Sequence, residues 1–311
     1  MRTTPRSITL PDDLRSAPEL ARAVEAARAG ESVALSGGVG SVATLATGIL
    51  ARELGRTVVL AVAHLDEADD AADELQSFGF RAERLPALEV LPGDTGVALD
   101  LLAERLSVCR AVMARGAAIP EVLVCPIQAL MQTVPTPERL AELLLTIRAG
   151  DEPGQRSVIH WLTSAGYKRL DSLEEPGDFA VRGGIVDIFP PASDAAYRLD
   201  FFGDRVESIT EIDLDTMGSG ARVEAIDLVG ATTDQLLSGE RTTSFLELMP
   251  RECITALLEP LELIEQGRGY FERASDARAI LGPPAVLKSL RERFHARVEF
   301  VVFSSTDAAH T

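Results

Sequence analysis

The sequence predicts an α/β fold in which a small antiparallel β domain is inserted into a parallel-sheet domain. Three observations carry that expectation. Short apolar runs alternate with helical patterns up to Gly150, the apolar period switches to two between Gly154 and Gly230, and the α/β alternation then returns. Runs of apolar residues without polar alternation suit parallel strands covered on both faces, whereas period two suits antiparallel strands with one wet face.

The elements follow in order. Glu19 to Ala29 repeats apolar residues at helical spacing and stops at Gly30. Ser32 to Ser36 is a short strand ending in Gly37-Gly38, and Ala43 to Leu54 is a helix closed by Gly55. Thr57 to Val62 reads as a buried strand, Asp66 to Phe78 and Val97 to Ala114 as helices, and Glu121 to Cys125 as another strand. The charged Pro/Gly stretch Gly150 to Gly154 marks a boundary, and a helix follows around Val158 to Ala165. Phe179 to Phe189 and Tyr197 to Ile212 are β-rich, with Gly183-Gly184 and Gly203-Asp204 suited to hairpin turns, and Arg222 to Val229 is a further strand. Cys253 to Leu258 is a strand, Pro260 to Arg273 a helix and Val298 to Phe303 a strand. The expected division is 1–150, 151–232 and 233–311, the last part completing the sheet of the first.

Composition narrows the function. The 311-residue chain is 46% hydrophobic and carries a formal net charge of −18, which disfavours a DNA-binding module held by a basic surface. Cys109, Cys125 and Cys253 are far apart in sequence. They form neither a disulfide framework nor a CxxC metal site, and they suit the reducing cytoplasm. Met1 to Arg6 leads into no apolar core of a signal peptide. The uncharged stretch Ser32 to Leu50 is diluted by glycine and hydroxyl residues, so strand–turn–helix is expected rather than a membrane span.

The segment Leu35 to Thr44 sits where a strand gives way to a helix, the position of a phosphate-gripping GxxxxGK[ST] loop. On that pattern Gly37 is the first glycine, Val42 stands at the second, Ala43 at the lysine and Thr44 at the Mg²⁺-binding hydroxyl, with Gly40 between. A methyl group cannot neutralise β- and γ-phosphates, and a branched side chain obstructs their approach to the backbone. The only lysines, Lys168 and Lys288, follow no glycine loop. The acidic strand end that normally holds Mg²⁺ is also eroded, with Leu258 in place of the aspartate and only Glu259 retained. A degenerate P-loop-like (RecA-like) domain without nucleotide hydrolysis is expected. No HExxH, GxSxG or metal spacing links His64, His160, His295 and His310, so no catalytic residue, cofactor or metal is expected.

In the β domain, alternation puts Tyr197, Leu199 and Phe201 on one face of a strand and Arg198, Asp200 and Phe202 on the other. The first set is an ordinary core face. The second has the composition of an interface hot spot if exposed, or of a surface Arg198–Asp200 pair beside a packed Phe202. Arg182, just before Gly183-Gly184, is a basic group at a hairpin tip and equally open in role.

Two strings extend this reading. Gly177 to Pro191 (GDFAVRGGIVDIFPP) and Tyr197 to Ile209 (YRLDFFGDRVESI) resemble the UvrB-like module shared by the excision-repair protein UvrB and the bacterial transcription-repair coupling factors. Gly96 to Arg105, Gln128 to Pro135 and Ser244-Phe245-Leu246 tilt the resemblance toward the coupling factors. The resemblance implies a UvrB-like domain without ATPase function, whose β domain docks UvrA in transcription-coupled nucleotide excision repair. It implies contacts to UvrA from Arg182, Arg198 and Phe202, with Asp200 and Phe201 beside them. It also implies that RNA polymerase and DNA are engaged through regions outside this chain, which then reads as a fragment. A nucleotide-dependent, UvrB-like enzyme that binds damaged DNA is the alternative, separated by its affinity for ATP.

Overall fold

The computed structural model describes residues 17–37, 40–88, 99–114, 119–191, 193, 195–214, 216, 218–230, 241–274 and 279–301. Gly38 and Val39 of the glycine loop, residues 96–98, the 232/233 boundary, residues 302 and 303 of the last expected strand and His310 lie outside these. The chain divides into two compact units. One contains the described residues within 1–87, 111–133 and 243–311, the other those within 88–110 and 134–242.

The first unit is built on a six-stranded sheet. In chain order its elements are α1 (Pro18–Ala29), β1 (Ser32–Ser36), α2 (Ser41–Leu54), β2 (Val58–Val62), α3 (Leu65–Ser77) and β3 (Ala82–Arg84). After α4 (Leu99–Ala114), whose first part falls in the second unit, come β4 (Val122–Pro126) and α5 (Ile127–Met131). The sheet runs β1-β16-β15-β2-β4-β3, with β15 at Ile254–Leu258 and β16 at Ala296–Val301, and every pairing is parallel. Every residue of β2, β4 and β15 is buried, the outcome expected of apolar runs covered on both sides. β1 departs from that expectation. It is an edge strand, with Ser32, Ala34 and Ser36 exposed.

Leu50, Leu60, Leu75, Val124 and Val298 form the centre of this unit's core, each fully buried. Side chains of this size contribute about 1.5–3 kcal/mol each on burial. The remaining helices are α8 (Phe245–Leu248), α9 (Pro260–Arg273) and α10 (Pro283–Glu292). The last of these was not legible from the sequence. Pro283-Pro284 reads as a break, yet proline is favoured in the first helical turn, where its missing N–H is no loss.

The second unit contains β5 (Val134–Pro135), α6 (Pro137–Leu143), β6 (Leu144–Arg148), α7 (Gln155–Ser164) and a second six-stranded sheet. Its strands are β7 (Lys168–Leu170), β8 (Asp178–Arg182), β9 (Ile185–Ile188), β10 (Ala196–Phe202), β11 (Arg205–Asp213) and β12 (Gly218–Val223), lined up in reverse sequence order. All pairings are antiparallel except the short β7–β8 pair. The single strand expected over Arg222 to Val229 is two. β12 continues the sheet, while β13 (Ala225–Val229) pairs with β6 in a separate ribbon. A two-residue strand, β14 (Thr242–Thr243), follows.

In sequence this β-rich block lies between β4 and β15 of the parallel sheet, as an insertion must. One face of the second sheet packs Phe179, Val186, Leu199, Val206 and Ile209 against Val158 and Leu162 of α7 and against Ile226 and Leu228 of β13. Among the described residues the opposite face buries only a small apolar cluster, Leu173, Ala180, Ala196 and Ile212. That asymmetry leaves sheet surface in solvent. Among the described residues no helix is long and apolar enough to cross a membrane.

Candidate functional site

Two described glycines of the loop have positive φ. Gly37 has φ 82° and donates its N–H to the Val301 carbonyl at 3.0 Å, and Gly40 has φ 55° ahead of α2. Two first-turn amides are already used. The Gly40 carbonyl accepts from the Ala43 amide at 3.0 Å, the Thr44 amide at 3.2 Å and Thr44 Oγ1 at 3.4 Å. Val42 is exposed, while Ala43 is wholly buried and Thr44 nearly so.

A cavity of about 540 Å³ opens beside Gly40, Ser41 and Thr44. Asp66, Glu67, Asp70, Glu74 and Glu262 line it. Among the described lining residues only His64 can carry positive charge, and its Nε2 lies 2.8 Å from Glu262 Oε1. Such a rim attracts cations and repels polyphosphate. At the end of β15, Leu258 is buried and Glu259 holds left-handed φ 46°, ψ 72°. Its Oε1 is buried without a hydrogen bond.

The second sheet offers the other candidate. Register places Arg198 opposite Asp187 on β9 and Thr210 on β11, and Asp200 opposite Ile185 and Ser208. Arg182 is also opposite Ile185, so Arg182, Asp200 and Arg198 share one face. Phe202 closes that strand and is 75% exposed, a large apolar ring in open solvent. Phe201 is turned the other way and packs against the buried core of the unit. The hairpin beneath is tight, since a Cβ on Gly184 would stand 2.8 Å from the Phe201 carbonyl oxygen.

Arg198 is not free. Its Nε donates to Asp187 Oδ1 at 2.7 Å and its Nη2 to Asp187 Oδ2 at 2.8 Å, the two-pronged geometry that suits a guanidinium best. The Asp187 side chain is 2% exposed and that of Arg198 19%. The Asp187 bond pushes the guanidinium's pKa higher still. The partner is therefore Asp187, not the neighbouring Asp200 considered from alternation. A signal for it was present: a lone carboxylate in the apolar string Ile185-Val186-Asp187-Ile188 demands a buried cation. Arg182 donates through Nη2 to the Asp171 carbonyl at 2.7 Å and stays exposed. The structure thus brings Arg182, Arg198, Asp200 and Phe202 to one solvent-facing surface, and Phe201 away from it.

Residues 145–233 match the family described as the UvrB interaction domain. A transcription-repair-coupling factor of Escherichia coli (strain K12) is 34% identical over 219 residues, covering 69% of this chain and 19% of that protein. The Myxococcus xanthus protein of the same name is 33% identical over 231 residues, covering 70% of this chain and 19% of its own length. That of Bacillus subtilis (strain 168) is 28% identical over 218 residues, covering 68% and 18%. The chain spans about a fifth of the length of these curated relatives. It is a homologue of the transcription-repair-coupling factors and carries a UvrB interaction domain at residues 145–233.

Proposed function

We propose that this chain is the UvrB-like module of a transcription-repair coupling factor, acting in the cytoplasm to recruit UvrA to stalled RNA polymerase. In this reading 151–232 is the docking domain, while 1–150 and 233–311 form a UvrB-like α/β frame that hydrolyses no nucleotide. RNA polymerase and DNA are engaged by parts of the longer protein that this chain does not contain. The observation that carries the reading is Phe202, 75% exposed within the UvrB interaction domain and flanked by Arg198, Asp200 and Arg182.

Phe202 supplies apolar area to bury, and the two arginines supply charge-assisted hydrogen bonds to acidic groups on UvrA. Phe201 acts from below by holding the strand to its core. The acid-lined cavity at Gly40 and Thr44 supports the absence of ATP chemistry, because a triphosphate there would face five carboxylates and no lysine. Calorimetry of the 311-residue chain with UvrA tests the docking, and saturable binding weakened by Phe202→Ala is the expected outcome. Titration with fluorescent ATP and Mg²⁺ tests the rest, and micromolar affinity would overturn the non-catalytic assignment.

A further inference from the structure

At the opposite end of the parallel sheet, where β2, β4 and β15 begin, lies a second cavity of about 400 Å³. Thr57, Glu121 and Cys253, each just before one of those strands, contribute to its wall. Its charge is unlike that of the chain. Arg52, Arg56 and Arg81 line it against Glu121 and Glu252, a local excess of positive charge in a molecule of net −18.

The three arginines are used differently. Arg52 spends Nε and Nη2 on Glu121 at 3.1 and 3.3 Å and lies over the Phe80 ring at 3.9 Å. The Arg81 amide donates to Glu121 Oε2 at 2.8 Å, and its Nη1 donates to the Ile119 carbonyl at 3.2 Å. Glu121 is thus already claimed. Arg56, held between the left-handed Gly55 cap of α2 and the start of β2, donates its backbone N–H to the Ala51 carbonyl at 3.1 Å, but its side chain has no hydrogen bond or ion pair to any described residue. Its Nη1 is shut off from solvent with no acceptor. The sealed Nη1 cannot meet a ligand in the cavity, but Nε and Nη2, also without an acceptor among the described residues, leave the guanidinium able to take an anion there.

We propose that this cavity binds a phosphate group on Arg56, with Arg52 beside it. Arg56 supplies an always-charged donor that the fold leaves unsatisfied, and the volume admits a tetrahedral anion with a small attached group. The site is independent of the docking face and of the glycine loop.

The test is titration of inorganic phosphate into the 311-residue chain at constant ionic strength, read by calorimetry and thermal unfolding. A saturable rise in unfolding temperature is expected for the unaltered chain. Arg56→Gln should weaken phosphate binding at least roughly tenfold, because a charge-assisted contact is lost. Without phosphate, Arg56→Gln should unfold no earlier than the parent, since it removes an unpaired cation; a purely structural arginine would lower that temperature. Arg56→Lys should retain part of the response, and Arg268→Gln, an arginine outside the cavity, all of it. An equal response from Arg56→Gln and the parent would mean an adventitious ion only and overturn the proposal. So would acetate matching phosphate in the parent and failing in Arg56→Gln, which would make the ligand a carboxylate.

Discussion

Around Gly37 and Gly40 the proposed lost nucleotide site is a matter of backbone, without the side chains that such a site needs. Gly37 and Gly40 keep positive φ at a strand-to-helix turn, while Val42 and Ala43 stand where glycine and lysine would act. On β10 the reverse holds. The backbone is a strand whose β11 register shifts between Asp200 and Phe201, and four side chains on its outer surface or beside it carry all the recognition chemistry proposed. The glycine turn between strand and helix is held by hydrogen bonds that do not need a ligand. A cluster such as Arg198, Asp200 and Phe202 has no such support and needs a separate device, here the buried Asp187.

The strongest way to break that contrast is to remove the device's cation. Arg198→Ala leaves Asp187 buried without its partner, and we expect a loss of about 3–5 kcal/mol in denaturant-derived stability. A change below about 1 kcal/mol, the scale of exposed pairs, would mean the pair is no more than surface decoration. Arg198 variants therefore mix folding with binding and are poor probes of UvrA alone.

Phe202→Ala is the cleaner probe. Its ring is exposed, so stability should stay within roughly 0.5 kcal/mol, while UvrA affinity should fall by about 2 kcal/mol, as at an interface hot spot. Unchanged calorimetric affinity would remove the docking face from consideration.

An exposed pair in the same unit gives the control. Hydrogen bonds from Arg241 and then Arg139 hold the Glu142 carboxyl down at about 2 from an ordinary 4.5. A depressed carboxyl stabilises the fold above its unfolded pKa, and that contribution fades as pH falls from 4.5 toward about 2. Glu142→Gln should thus be slightly less stable at neutral pH and converge on the parent in acid. Urea midpoints across that range would detect it, and a difference that grows on acidification would contradict the sign.

The smallest expected effect belongs to the loop. Introducing a cation with Ala43→Lys should give no measurable ATP affinity, because the acidic rim remains and the Ala43 and Thr44 amides already donate to the Gly40 carbonyl. Tight binding by that single variant would mean that only the lysine had been lost.

Much of this was legible in the sequence because it depends on local pattern. β1 and α9 have the bounds expected from Ser32 to Ser36 and Pro260 to Arg273, since glycine and proline punctuate both. Elements whose existence rests on distant partners were not legible. β6 forms by pairing with β13, 81 residues away at the Thr146–Asp227 contact, and no local period announces it. The same reason hid the Arg198–Asp187 pair. Alternation assigned Arg198 to a face correctly, but only the β9–β10 register chose its partner. The acid rim of the first cavity gathers residues from α3 and α9, and looks in the sequence like two solvated helices.

The clamp between Asp187 and Arg198 also has a kinetic consequence. A free arginine side chain carries about 2 kcal/mol of rotamer entropy, and here most of that freedom is surrendered when the chain folds rather than when a partner arrives. The guanidinium is thus preorganised. In the docking proposed, an incoming protein would meet a fixed guanidinium, its Nε and Nη2 already on Asp187, beside an exposed aromatic ring, and would not wait for that side chain to be ordered.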